Sequence, residues 1–113
     1  MSKKILIKQI IKPFNKTIEI EGDKSLSIRW ALLASQAIGK STSMNLLKSQ
    51  DVLSTLKCLK KLGVKVHMNK KRCEIFGMGI NGYNYKKNIT LNAGNSGTLA
   101  RLIMGLLAHS KNK

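Results

Sequence analysis

Thr17-Ile18-Glu19-Ile20-Glu21-Gly22-Asp23-Lys24-Ser25-Leu26-Ser27-Ile28-Arg29 changes its period halfway through. Up to Glu21, apolar and polar residues alternate, the pattern of a half-exposed strand that offers Ile18 and Ile20 to a core. Gly22 stops the alternation. From Ser25 to Ile38 the apolar residues, among them Leu26, Ile28, Ala31, Leu32 and Leu33, surround most of a helix. That spacing predicts a helix buried on several sides, with Gly39 as its C-terminal stop.

Downstream, Thr42, Met44 and Leu46 alternate as a short strand. Ser49-Gln50-Asp51 then offers a cap for a second helix, whose apolar stripe is Val52, Leu53, Leu56, Leu59 and Leu62. Lys57, Lys60 and Lys61 fall mostly off that stripe and read as its solvated face. Gly63 ends the helix. Val64, Val66 and Met68 alternate, Asn69 to Lys71 make a polar turn, and Cys73-Glu74-Ile75-Phe76 return as the second arm of a hairpin. A Gly- and Asn-rich loop runs from Gly77 to Asn88, Ile89 to Leu91 restart an apolar run, and a third helix is predicted from Ser96 to Ala108. Upstream, Ile5 to Ile7 make a possible first strand. The fold class is therefore α/β, a β-α-β-α-β-β unit followed by the start of a second.

Gly94-Asn95-Ser96-Gly97-Thr98-Leu99-Ala100-Arg101 repeats the plan of Gly22 to Arg29, 72 positions later. In both, a glycine opens a loop, small hydroxyl residues follow, and an arginine stands seven positions after the glycine. A helix of apolar residues comes next. The first turn of a helix leaves backbone N–H groups unpaired and carries partial positive charge, so such a loop can hold an anion. Serine and threonine hydroxyls add donors, and Lys24, Arg29 or Arg101 add charge-assisted hydrogen bonds. Two such loops suit phosphate or carboxylate groups. The plainer reading is that both glycines turn the chain and the hydroxyl residues cap helices. An arginine on a helix predicted to be mostly buried argues against it, because an unpaired charge there is costly.

The rest of the composition narrows the classes. A chain of 113 residues with 42% hydrophobic content suits one small domain with an aliphatic core, since its only aromatics are Phe14, Trp30, Phe76, Tyr83 and Tyr85. The apolar stretches are too short to span a bilayer, and no secretory cleavage pattern follows the basic start, which reads as cytoplasmic. Cys58 and Cys73 read as small buried hydrophobes. His67 and His109 lack neighbours at ligand spacing, so no metal is assigned. Gly39-Lys40-Ser41-Thr42 looks like the end of a nucleotide-binding loop, but the glycine needed earlier falls on Ala34 and the loop leaves a helix instead of entering one. Asn88-Ile89-Thr90 matches a glycosylation acceptor, without meaning in a chain that lacks a secretory signal. The formal charge of +16 comes mainly from lysines scattered along the chain. A nucleic-acid reader more often clusters its charge and interleaves aromatic platforms.

Gly22 to Arg29 and Leu91-Asn92-Ala93-Gly94-Asn95-Ser96-Gly97-Thr98-Leu99-Ala100-Arg101 resemble the two N-terminal signatures of the 5-enolpyruvylshikimate-3-phosphate synthases. Ser49-Gln50-Asp51-Val52 and Leu59-Lys60-Lys61-Leu62-Gly63-Val64 lie between them in the family's order. The resemblance covers most of the chain from Thr17 onward. It implies transfer of the enolpyruvyl group of phosphoenolpyruvate to the 5-hydroxyl of shikimate 3-phosphate, with release of phosphate, on the route to chorismate and aromatic amino acids. It implies no metal and no organic cofactor. It also implies part of an inverse α/β barrel, in which residues 1–20 belong to the other domain of the full-length family and residues 21–113 form part of the N-terminal domain.

By the same resemblance Lys24 is catalytic and touches both substrates, and Ser25 and Arg29 hold shikimate 3-phosphate. Backbone at Gly97 contacts phosphoenolpyruvate, and Asn95 and Thr98 shape that loop. The implied partners are those two small molecules, with no nucleic acid and no membrane, and most family members are monomers. Ile28, Glu21 and Leu102 depart from the family's commoner Asn or His, Pro, and Pro. The family's downstream arginines and acid–base residues lie beyond Lys113, so these 113 residues tested alone are expected to give no turnover. A related enolpyruvyl transferase acting on UDP-N-acetylglucosamine and a small basic nucleic-acid-binding module are the alternatives. The combination of Lys24, Ser25 and Arg29 favours the shikimate enzyme.

Overall fold

The computed structural model describes residues 3–10 and 12–109; the ends of the chain, and with them the sequence expectations at Met1, Ser2 and Lys113, lie outside the described residues. Its elements are α1 (Lys24–Gln36), β1 (Ile38–Met44), α2 (Gln50–Lys61), β2 (Lys65–Met68), β3 (Arg72–Met78) and α3 (Gly97–Leu107). The three strands form one antiparallel sheet in the order β1-β3-β2.

The register of that sheet sorts its residues by face. Ser41 and Val66 flank Ile75, while Lys40 and Lys65 flank Phe76. Cys73 and Ile75 are therefore buried beneath the helices, and Arg72, Glu74 and Phe76 look outward. On the outer face Glu74 accepts from Lys40 at 3.1 Å and from Arg72 at 2.8 Å. These bonds hold its carboxyl below the ordinary carboxylate range.

Beneath the sheet, Ile28, Ala31 and Leu32 of α1 meet Val52, Leu56 and Leu59 of α2, with Leu99 and Ile103 of α3 closing the cluster. As expected, this core is aliphatic. Its one buried aromatic is Tyr83, whose hydroxyl lies 2.6 Å from Ser35 Oγ. Cys58 and Cys73 are both buried and unbridged, as the sequence suggested.

Local signals set most boundaries. Ser49 caps α2 by accepting from the Val52 amide, and Ser96 caps α3 by accepting from the Leu99 amide at 3.1 Å. In the hairpin turn, Asn69 Oδ1 accepts from the amides of Lys71 and Arg72.

Several expectations need correction. The alternating strands expected at Ile5–Ile7 and Thr17–Glu21 are not formed, so among the described residues the first β of the predicted unit is missing. Ile18 and Ile20 are 76% and 73% exposed, because no neighbouring strand pairs with this stretch and an unpaired strand cannot satisfy its own backbone. The bond from Asn45 Nδ2 to the Ile20 carbonyl at 2.9 Å ties it to the body.

The first helix ends at Gln36, not at Ile38, and Gly39 is a strand residue opposite Gly77. The Ala37 carbonyl accepts from the Gly79 amide at 3.0 Å, so sheet pairing captures the chain before another helical turn can form. For the same reason β1 begins four residues earlier than the alternation at Thr42 suggested and ends at Met44.

The first helix is also not enclosed. Leu26 and Leu33 are about 70% exposed, and Arg29 beside them is exposed too. The apolar restart at Ile89–Leu91 forms no strand; Ile89 and Leu91 pack half-buried against the core as extended chain.

Candidate anion-binding loops

Asp23 stands just before α1 in extended conformation, and its Oδ1 accepts from the Leu26 amide at 2.7 Å. Ser96 does the same for α3 through its hydroxyl. Each cap consumes the third amide of its helix. The amides of Lys24 and Ser25, and those of Gly97 and Thr98, are the first two of their helices and have no carbonyl to reach within them. Both expected loops therefore end in an N-terminal turn that can donate to an anion.

Each loop touches α2, at neighbouring positions near its start. Lys24 Nζ lies 3.1 Å from Asp51 Oδ2, with the lysine half exposed and the aspartate largely covered. One turn along the same face, Ser54 stands against the second loop, since a methyl group on Gly94 would sit 3.3 Å from Ser54 Oγ. Gly94 itself has φ +57, a left-handed conformation, and its amide donates to Asn92 Oδ1 at 2.8 Å. The first loop is held from the other side, where Ser27 Oγ accepts from the Leu47 amide at 3.2 Å.

Each sequence-predicted residue can now be placed. Lys24 and Gly97 are exposed at the starts of their helices, Asn95 is exposed in the second loop, and Ser25 and Thr98 are half-buried. Ser25 and Arg29 are four apart, so they share a face of α1, and Lys24 stands about 100° around the axis from Ser25. Arg29 and Arg101 lie on exposed surface and make no ion pair among the described residues. The expectation that both sit in otherwise buried helices is wrong. Their argument for an anion therefore falls away, and the weight shifts to the loops.

Gly97 carries part of that weight. It has an ordinary backbone conformation, and a methyl group there would meet nothing within 4 Å. Neither φ nor packing asks for glycine at this exposed first position of α3. A backbone left bare where it faces solvent is open to close approach by a ligand.

Asp51 is the residue the sequence reading missed. It entered that reading as part of a helix cap and of the Ser49 to Val52 segment of the resemblance, with no role of its own. Its signal was scarcity: the chain holds five acidic residues against 21 basic ones, and one of the five stands in the first turn of α2. A cleft of about 610 Å³ borders Gly22, but Met44 to Lys48 and Met68 to Cys73 line it, and the second loop does not reach it. Among the described residues no group of His, Cys, Asp and Glu could hold a metal ion, and no helix is long and apolar enough to cross a membrane.

The model of the family described as EPSP synthase (3-phosphoshikimate 1-carboxyvinyltransferase) matches residues 8–113. A 3-phosphoshikimate 1-carboxyvinyltransferase of Vesicomyosocius okutanii is 45% identical over 104 residues, which are 89% of this chain and 24% of that protein. One of Bacillus cytotoxicus is 42% identical over 98 residues, 87% of this chain and 23% of the relative. The solved EPSP synthase from Acinetobacter baumannii superposes with a TM-score of 0.76 at 33% identity, covering 83% of this chain and 21% of its own. The chain thus spans about a quarter of the length of the curated relatives it matches.

Proposed function

The chain belongs to the EPSP synthase family, and from that premise we propose that its two loops supply part of the substrate site for enolpyruvyl transfer from phosphoenolpyruvate to shikimate 3-phosphate. In this reading Ser25 and Arg29, on one face of α1, hold shikimate 3-phosphate. The Gly97 amide takes an anionic group of phosphoenolpyruvate, with Asn95 and Thr98 shaping the loop around it. Lys24 reaches both ligands. Its ammonium offsets the repulsion of two anions brought close together, and fixed N–H groups orient them without reorganisation.

The proposed reaction releases phosphate as the enolpyruvyl group passes to the 5-hydroxyl, and it asks no metal or organic cofactor of this chain. The residues that move protons are assigned to the rest of the family's length. The same reading carries a cytoplasmic enzyme that works as a monomer, with 1–20 belonging to the other domain and 21–113 to the N-terminal one.

The observation that supports it most is the contact of each loop with neighbouring positions of α2, Asp51 on Lys24 and Ser54 beside Gly94. Calorimetric titration with shikimate 3-phosphate tests the reading. Binding is expected to weaken at least about tenfold in Arg29→Ala, the loss of a charge-assisted hydrogen bond. Equal affinity of the parent chain and Arg29→Ala would count against it, as would tighter binding of UDP-N-acetylglucosamine.

A further inference from the structure

Asp51, Ser54, Cys58 and Lys61 follow one another at helical spacing, so they form a single stripe along α2. Each touches a different point of the two loops or the segment leading into them. Asp51 pairs with Lys24, and Ser54 faces Gly94. Cys58 Sγ donates to the Asn92 carbonyl at 3.4 Å, and Lys61 Nζ donates to the Thr90 carbonyl at 2.9 Å. The contacts on the second segment fall on alternate residues, 90, 92 and 94: the carbonyls of Thr90 and Asn92 can share one side of the chain, which turns at Gly94.

The two spacings are similar. One helical turn advances about 5.4 Å, and two extended residues advance about 6.6 Å. An extended segment laid antiparallel to α2 can therefore meet the helix once per turn without strain. Burial pushes the Cys58 thiol above its ordinary range, so it stays protonated and able to donate.

We propose that this stripe of α2 is a positioning rail that fixes the second anion loop relative to the first, with Cys58 and Lys61 as positioning residues for Gly97 and Asp51 as the positioning residue for Lys24. None of the first two touches a ligand; they act through the backbone of residues 90–94. The proposal rests on the anion-loop reading above and adds to it the element that sets the distance between the loops.

The test is a titration of the 113-residue chain with inorganic phosphate, followed through the backbone amide signals of Gly97 and Thr98. Cys58→Ala and Lys61→Met are expected to weaken the phosphate response there about threefold each, the loss of one modest hydrogen bond. Cys58→Ser and Lys61→Arg keep a donor and are expected to restore it. Lys61 is exposed, so its pair of variants decides the matter even where a change at buried Cys58 disturbs folding. Unchanged affinity in Lys61→Met, or an equal loss in Lys61→Arg, overturns the rail.

Amide hydrogen exchange without ligand separates this proposal from the reading it rests on. A rail predicts faster exchange from Gly94 to Thr98 in Lys61→Met but not in Lys61→Arg. If phosphate fails to perturb the parent chain, the anion reading fails, while the exchange comparison still supports or overturns the rail.

Discussion

Gly22 and Gly94 occupy the same place in two copies of one loop plan, yet they are glycine for different reasons. Gly22 has no left-handed backbone; a methyl group there would sit 2.5 Å from the Asn45 carbonyl oxygen and 3.1 Å from the Leu47 amide. Gly94 meets no backbone, its near neighbour being a serine hydroxyl at 3.3 Å that needs to yield only slightly, but its φ of +57 disfavours a side chain. Identical letters at matched positions thus record close packing in the first loop and backbone conformation in the second. The first loop is wedged against the β1–α2 connection, whereas the second rests on α2 through hydrogen bonds.

The largest effect that can break this contrast is at Gly22. Backbone atoms cannot swing aside as a flexible side chain can, so Gly22→Ala is expected to cost about 2 to 3 kcal/mol, in the range of overpacked cores. Urea unfolding measures it. Gly94→Ala is expected to cost less, about 1 to 2 kcal/mol for a left-handed alanine, and Gly94→Asn less still, since asparagine visits that region more readily. Equal losses for alanine and asparagine at 94, or a harmless alanine at 22, would erase the distinction between the loops.

A smaller effect separates the loops electrostatically. The first is capped by a carboxylate and bound to a second one, Asp23 and Asp51, while the second is capped by a neutral hydroxyl. With Lys24 half exposed, solvent screens its pair, and Asp51→Asn is expected to lower stability by less than about 1 kcal/mol. The change should fade in high salt, where exposed ion pairs are screened. A loss that persists in concentrated salt would mean that the aspartate holds α2 by something other than its charge.

What the sequence disclosed about this molecule follows the range of the forces involved. Helix α2, the β2–β3 hairpin and helix α3 were legible because Ser49, Asn69 and Ser96 act on amides two or three residues away. The end of α1 was not, because apolar letters run on through Ile38 and the switch to strand is decided by pairing with Met78, forty residues distant. The alternation of Ile18 and Ile20 states which side of a strand wants covering, but it cannot supply a partner, and the described residues offer none. At the site, the two helix starts could be read from glycine and hydroxyl spacing. That α2 joins them could not, since it rests on where Asp51 and Ser54 fall relative to loops 27 and 40 residues away in the chain.

The smallest expected effect on stability is the most informative, because its sign is opposite. Gly97 begins α3 in helical conformation with open space around its missing side chain. Replacing a glycine by alanine where the backbone already suits alanine removes freedom from the unfolded chain, so Gly97→Ala is expected to stabilise the fold by about 0.5 kcal/mol. A thermal melt should show a small rise. A glycine retained where alanine would be more stable fits a position that a ligand must approach closely, and the added methyl should hinder an anion at the Gly97 amide. Titration with phosphoenolpyruvate or inorganic phosphate is therefore expected to weaken in the variant whose melting temperature rises, while shikimate 3-phosphate, proposed above for the first loop, is expected to hold its affinity. A variant that is more stable and binds both anions as well as the parent would leave Gly97 without a function. The likeness between the two loops would then be one of chain-turning alone.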